Sequence, residues 1–151
     1  MDIRREQMVT SSQFLRSTRK QGIKVLEGVC EIIDNSFDAG CSTVKVHIEN
    51  NENGTLMMIF TDDGVGIPTI HEDKDGIKHQ GIPYVLTYGG RIPHPHTSTS
   101  PVGKFGWGLS ATASCLSSRT EVYSKNQNDM EWRYSYYDFK ELEKDPELLL
   151  P

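Results

Sequence analysis

The chain has 151 residues, 36% of them hydrophobic and 25% charged, with a formal net charge of −5. That length and composition suit one globular domain with a core of its own. They exclude a helical membrane span, since every apolar run falls well short of about 20 residues, and the acidic balance offers no general attraction for nucleic acid or anionic membrane.

Met1 leads into Asp2-Ile3-Arg4-Arg5 with no apolar stretch behind it. No cleaved leader is expected, and a cytoplasmic location is. Cys30, Cys41 and Cys115 are odd in number and lack metal spacing, so they read as buried reduced thiols. The basic residues Arg4, Arg5, Arg16, Arg19, Lys20 and Lys24 form a loose cluster that reads as a solvated face.

Residues 1–17 read as a polar arm outside the core. From Thr18 to Ala39 the pattern is helical: Ile23, Leu26, Val29, Ile32, Ile33 and Phe37 make one apolar stripe. Gly40 follows at the position suited to a left-handed helix end. Residues 43–50 alternate like a half-buried strand. Asn51-Glu52-Asn53-Gly54 reads as a hairpin turn, and Thr55–Thr61 as the returning strand.

Residues 68–102 are the least regular stretch, with a short helical piece at Tyr84–Tyr88, then Gly89-Gly90-Arg91 and a run rich in Pro, His, Ser and Thr. Leu109–Leu116 reads as a small-residue helix. Thr120–Lys125 and Trp132–Phe139 read as strands joined by a turn at Asn126–Asp129, and Glu141–Leu150 as a short helix. Tyr134, Tyr136 and Tyr137 suit a strand with one packed face. His94 and His96 lack an evident third ligand and read as loop residues.

Three segments carry chemistry. Glu31, Asn35 and Asp38 recur at i, i+4 and i+7 and share a helix face. A carboxylate and an amide one turn apart suit a hydrated magnesium site, and such a Glu can orient or deprotonate an attacking water. An ordinary amphipathic helix has the same pattern. Asp62-Asp63-Gly64-Val65-Gly66 ends a strand. Alternation lets only one of the two carboxylates face a given pocket, where it can accept a hydrogen bond from an exocyclic amine. Gly64 and Gly66 would let a planar base approach the backbone. A plain Asp-Gly turn is the other reading. Gly103-Lys104-Phe105-Gly106-Trp107-Gly108 runs into a helix, whose free N–H groups favour phosphate. It is neither a Walker loop nor a dinucleotide fingerprint.

Taken in order, Glu31-Ile32-Ile33-Asp34-Asn35-Ser36-Phe37-Asp38-Ala39, then Asp62-Asp63-Gly64-Val65-Gly66-Ile67-Pro68, then Gly103 to Gly108 resemble the GHKL ATPase superfamily over roughly residues 18–125. That superfamily includes gyrase B subunits, the ninety-kilodalton heat-shock chaperone, sensor histidine kinases and MutL. The resemblance implies an α/β (α+β) Bergerat-type fold, a two-layer sandwich of a mixed, mostly antiparallel sheet with helices on one face. It implies ATP and Mg²⁺ as cofactors. Glu31 falls at the general base and Asn35 at the magnesium amide. Asp62 falls at the adenine reader, with Gly64, Gly66 and Ile67 beside the base. Gly103, Lys104, Phe105, Gly106, Trp107 and Gly108 form the phosphate loop. Arg91 is a further phosphate contact, and residues 69–102 are the ATP lid.

The kinase branch generally carries Asn where Glu31 stands, so hydrolysis is expected over kinase activity. Family members continue into a strand with a Gly-Thr pair, which this sequence does not reach before Pro151. The chain is therefore expected to be the N-terminal part of a longer protein, with further domains and ATP-dependent homodimerisation. Neither a membrane site nor a direct nucleic-acid site is expected. The rival readings are a nucleotide-binding regulatory module without turnover and a purely structural interaction domain.

Overall fold

A computed structural model describes residues 3, 5, 6, 22, 24–93, 108–145 and 147–151. The elements run α1 (Val25–Asp38), β1 (Val44–Asn50), β2 (Leu56–Asp62), β3 (Ile70–Glu72), β4 (Lys78–Gln80), α2 (Gly81–Leu86), α3 (Gly108–Leu116), β5 (Arg119–Ser124), β6 (Arg133–Asp138) and α4 (Phe139–Lys144). The class is α+β. The strands pair antiparallel, β1 with β2, β3 with β4 and β5 with β6. Among the described residues no ladder joins one pair to the next. The expected mixed sheet is met there only as separate antiparallel pairs.

Helix α1 starts at Val25 rather than Thr18. Gly22 has φ 70° and Lys24 is extended, so the backbone before Val25 leaves the right-handed region. Residues 18–21 and 23 lie outside the described ones. The Glu27 carboxylate reaches back to the Lys24 N–H at 3.4 Å, serving a donor the helix leaves open. At the far end Gly40 takes φ 73°. Its N–H donates to Phe37 O at 2.8 Å and the Cys41 N–H donates to Ser36 O at 3.3 Å, closing the helix as Gly40 predicts.

The buried face of α1 differs from the expected stripe. Leu26 and Phe37 are exposed, whereas Gly28 and Ser36 are buried. A Cβ on Gly28 would lie 2.9 Å from Leu116 and 3.0 Å from Thr112, so the missing side chain is what lets α3 approach. The β1–β2 pair also differs from a half-buried strand: Val46, Ile48, Leu56, Met57 and Ile59 are all exposed.

Two hairpin loops share one construction. Asn51 Oδ1 accepts the N–H groups of Asn53 and Thr55, and Gly54 takes φ 73°. Asp73 Oδ1 accepts those of Asp75 and Ile77, and Gly76 takes φ 78°. A side-chain oxygen thus organises each loop before a left-handed glycine. The second loop lies in the stretch expected to be irregular apart from one short helix, and that stretch also holds β3 and β4. The short helix is Gly81–Leu86, earlier than Tyr84–Tyr88, because Ile82 and Leu86 pack into the core.

That core gathers Ile82 and Leu86 of α2, Ala113 of α3, Tyr137 of β6, Phe139 and Leu142 of α4, and Leu150. On β5–β6, Tyr137 is buried while Tyr123, Tyr134 and Tyr136 stack along the opposite face, with centroid spacings of 5.0 and 5.8 Å. Helix α4 begins directly after β6, capped by Asp138, whose carboxylate accepts the Lys140 N–H at 2.8 Å. It ends at Lys144, earlier than the expected Leu150.

The arm is not wholly outside the core. Glu6 is buried, its carbonyl accepts the Leu150 N–H at 2.9 Å, and its carboxylate lies 2.5 Å from His79 Nδ1. The cysteines are free as expected, but Cys30 is exposed and Cys41 and Cys115 are only half-buried.

Candidate nucleotide site

The two carboxylates at the end of β2 point apart, as strand alternation requires. Asp62 turns toward α1, where Oδ2 accepts the Ser36 hydroxyl at 3.1 Å, and its Oδ1 accepts the Gly64 N–H at 2.9 Å. Asp63 turns the other way. Its Oδ1 accepts the N–H groups of Ser42 and Thr43 at 2.7 and 2.8 Å. Those bonds, Thr43 first, hold the Asp63 carboxyl below the usual carboxylate range. Asp63 therefore ties the loop before β1, and Asp62 is the carboxylate that meets the helix bearing Glu31 and Asn35. A carboxylate offers about four lone-pair positions, so Asp62 keeps acceptor capacity beyond its two protein bonds.

On α1, Asn35 Nδ2 donates to Glu31 O at 2.8 Å. With the amide nitrogen committed to the helix, the free end of Asn35 is its oxygen. Magnesium takes oxygen ligands, so the orientation fits the ion that the resemblance implies. Glu31 is half-buried one turn away. Burial, then the like charges of Asp34 and Asp38, push its carboxyl above the ordinary glutamate range. A proton acceptor is strengthened by such a shift.

The glycines of the second segment have their open sides filled by protein. A Cβ on Gly64 would meet Asp62 Oδ1 at 2.9 Å and Ala39 at 3.0 Å; on Gly66, at φ 73°, it would meet Lys125 O at 2.4 Å. The close approach that each glycine permits is to neighbouring chain, where the sequence suggested a planar base. Ile67 is half-buried against the core; its N–H donates to Ser124 Oγ at 2.8 Å.

Helix α3 opens at Gly108 and packs on α1 at Gly28, so the end of the third segment and the first segment share a helix pair. Gly103, Lys104, Phe105, Gly106 and Trp107 lie outside the described residues, as do His94 and His96. Arg91 is exposed, following Gly90, whose N–H donates to Thr87 O at 3.3 Å. Two concavities among the described residues are of note. One of about 170 Å³ lies between Tyr136, Leu142 and Leu148–Pro151, and one of about 250 Å³ is lined by Thr43, Lys45, Thr61, Asp62 and Asp63. Both are smaller than the roughly 300 Å³ and upward of a typical small-molecule site. Among the described residues no cluster of three His, Cys, Asp or Glu could hold a metal, and no helix is long and apolar enough to cross a membrane.

Sequence reasoning missed Ser36, Ser124, Asn126 and Arg133, all of which hold the second segment in place. Ser36 was visible inside the first motif, but nothing in its spacing gave it a partner 26 positions on. Asn126 carried only the signal of a turn.

Residues 23–150 match a family described as histidine kinase-, DNA gyrase B-, and HSP90-like ATPase. The mouse ATPase MORC2B is 26% identical over 125 residues, covering 82% of this chain and 11% of that protein. The DNA mismatch repair protein MutL of Clostridium acetobutylicum is 31% identical over 101 residues, covering 67% of this chain and 15% of that protein. The chain thus spans only a small part of the length of these relatives. With three ordered motifs, an α+β fold that joins the first two through Ser36 and Asp62, and a family match across most of its length, this chain belongs to the histidine kinase-, gyrase B- and HSP90-like (GHKL) ATPase family.

Proposed function

We propose that this chain is a single ATP-binding domain that holds ATP with Mg²⁺ between α1 and the loop after β2, and hydrolyses it. The observation that carries the reading is the Ser36–Asp62 bond, which sets the Asp62 carboxylate against the helix of Glu31 and Asn35. Asp62 would accept the adenine amine, with Gly64, Gly66 and Ile67 forming the adjoining backbone. Asn35 would hold Mg²⁺ through its amide oxygen. When bound, that ion would neutralise phosphate charge. Glu31, its carboxyl raised by burial and by Asp34 and Asp38, would accept the proton of the attacking water. Gly103 to Gly108 would supply phosphate N–H donors, and Arg91 a cation.

The two-layer arrangement, the lid over residues 69–102 and a cytoplasmic setting belong to the same proposal. So do further domains and ATP-driven pairing of two copies, by which hydrolysis would drive a conformational change in a larger protein. Within the lid, Ile82 and Leu86 are core residues, so its early part is anchored. The test is phosphate release by wild type and by Glu31→Ala at saturating ATP. A general base contributes about 10²–10⁴-fold, so the variant should be slower by at least about a hundredfold. Equal rates would remove Glu31 from the chemistry.

A further inference from the structure

We infer that the turn between β5 and β6, through Asn126 and Arg133, positions the Val65–Ile67 loop and thereby sets adenine selectivity at Asp62. The inference rests on the ATP reading above and adds residues that lie outside the three motifs.

Three consecutive residues after Gly64 have their backbone polar groups held by side chains some 60 positions away. Asn126 Nδ2 donates to Val65 O at 3.1 Å and to Gly66 O at 3.3 Å. Arg133 Nη2 donates to Ile67 O at 3.1 Å, and Ser124 Oγ accepts the Ile67 N–H at 2.8 Å. On the other side of the loop the Val65 N–H donates to Ala39 O at 3.1 Å, at the end of α1. The loop is thus held between the helix that carries Glu31 and Asn35 and the turn that carries Asn126.

One amide reaches two successive carbonyls because Gly66 sits at φ 73°, a conformation only glycine adopts readily. The Lys125 carbonyl fills the space a side chain would need there. The two donors are themselves fixed by Asp129. Its carboxylate accepts the Asn126 N–H at 3.0 Å, pairs with Arg133, and accepts the Thr69 hydroxyl at 2.9 Å. The Asn126 bond first, then Arg133 and Thr69, hold its carboxyl low despite some opposing desolvation. Arg133 is therefore charge-paired and points to backbone, so it serves as a positioning residue and not as a phosphate ligand.

Asp62 is coupled to this loop directly, because its Oδ1 accepts the Gly64 N–H, the residue before Val65. Releasing Val65–Ile67 would loosen the Gly64 side of Asp62 and leave its carboxylate oriented by Ser36 alone. The penalty would fall on reading the base, since the bonds of Asn126 and Arg133 go to the Val65–Ile67 loop beside Asp62 and to Asp129.

The test is calorimetric titration of the Mg²⁺ complexes of a non-hydrolysable ATP analogue and the matching GTP analogue. It uses wild type, Asn126→Ala and Arg133→Lys, with melting temperature followed in parallel. Wild type should prefer the ATP analogue by about a hundredfold or more, as a site built on a base hydrogen bond does. Asn126→Ala loses two hydrogen bonds and should cut that preference about tenfold. Arg133→Lys, which keeps a donor and the pairing with Asp129, should retain most of it. An unchanged preference in Asn126→Ala would overturn the inference while leaving the ATP reading intact. A uniform loss for both analogues, tracking a fall in melting temperature, would reduce Asn126 to a fold residue and overturn it equally. Wild type that binds neither analogue would remove the ATP reading and this inference with it.

Discussion

The Ser36 hydroxyl donates to Asp62 Oδ2 at 3.1 Å across 26 residues of sequence. Ser36 is buried and Asp62 exposed, so the bond is partly buried. Ser36→Ala should cost about 1 kcal/mol of stability, the typical net worth of one such bond. Because Asp62 would also lose its orienting partner, affinity for an ATP analogue should fall as well. Denaturant melts and calorimetry check both. A stability loss with unchanged affinity would confine the bond to the fold.

Glu31 is held in an environment that disfavours its charge, first through burial and then through Asp34 and Asp38. Glu31→Gln removes the charge at constant size. It should leave the melting temperature unchanged or raise it slightly, within about 0.5 kcal/mol, while phosphate release drops. A variant gaining stability as it loses activity marks a strained functional group. Loss of both would indicate a structural role.

His79 is buried with Glu6 Oε1 2.5 Å from Nδ1 and Asp73 Oδ2 2.9 Å from Nε2. Each ring nitrogen faces a carboxylate oxygen, an arrangement that favours the charged imidazolium. Burial pushes its pKa down, but the bonds to Glu6 and Asp73 outweigh that and leave it raised above 6.5. His71 and Tyr84 also face it, from β3 and α2. A raised folded-state pKa gives stability that is complete below about 6.5 and fades as pH climbs through the folded value. His79→Gln should therefore cost about 3 kcal/mol near pH 6, where a buried charge pair is broken, and the gap to wild type should narrow toward pH 9. Thermal melts across that range check it. A constant gap would mean that the ring does not titrate there.

Gly66 and Gly76 both have left-handed backbones, at φ 73° and 78°. Only Gly66 has its side-chain space filled, by Lys125 O at 2.4 Å; around Gly76 there is open space. Gly76→Ala should cost about 1 kcal/mol from backbone strain alone. Gly66→Ala should cost at least about 1–3 kcal/mol more, because backbone has to move. Equal costs would show that the β5–β6 turn yields freely.

The chemistry was more legible in the sequence than the packing. Glu31, Asn35 and Asp62 announce themselves by residue type and spacing, and the Gly40 helix end and the Gly54 hairpin by turn chemistry. The two strands at Thr120–Lys125 and Trp132–Phe139 lie within a residue of their observed limits, since their alternation is strong. What stayed hidden depends on long-range partners. Apolar periodicity pointed to Leu26 and Phe37 as the buried side of α1, but small Gly28 and Ser36 admit the neighbours. Glu6 looked like arm because a carboxylate is ordinarily exposed, and only His79, 73 positions away, gives it a buried partner. The short helix expected at Tyr84–Tyr88 begins three residues earlier, at Gly81, because Ile82 and Leu86 find the core, and the β3–β4 pair before it carried no strand signal.

In the proposed site Asp62 and the α1 face together bind ATP. Calorimetric titration of the protein with a Mg²⁺-bound non-hydrolysable ATP analogue tests this most directly, in wild type beside Asp62→Asn. Wild type should give saturable heat for one site, and the variant, which replaces an acceptor carboxylate by an amide, should lose about tenfold or more in affinity. No heat in wild type, or equal binding by Asp62→Asn, would contradict it.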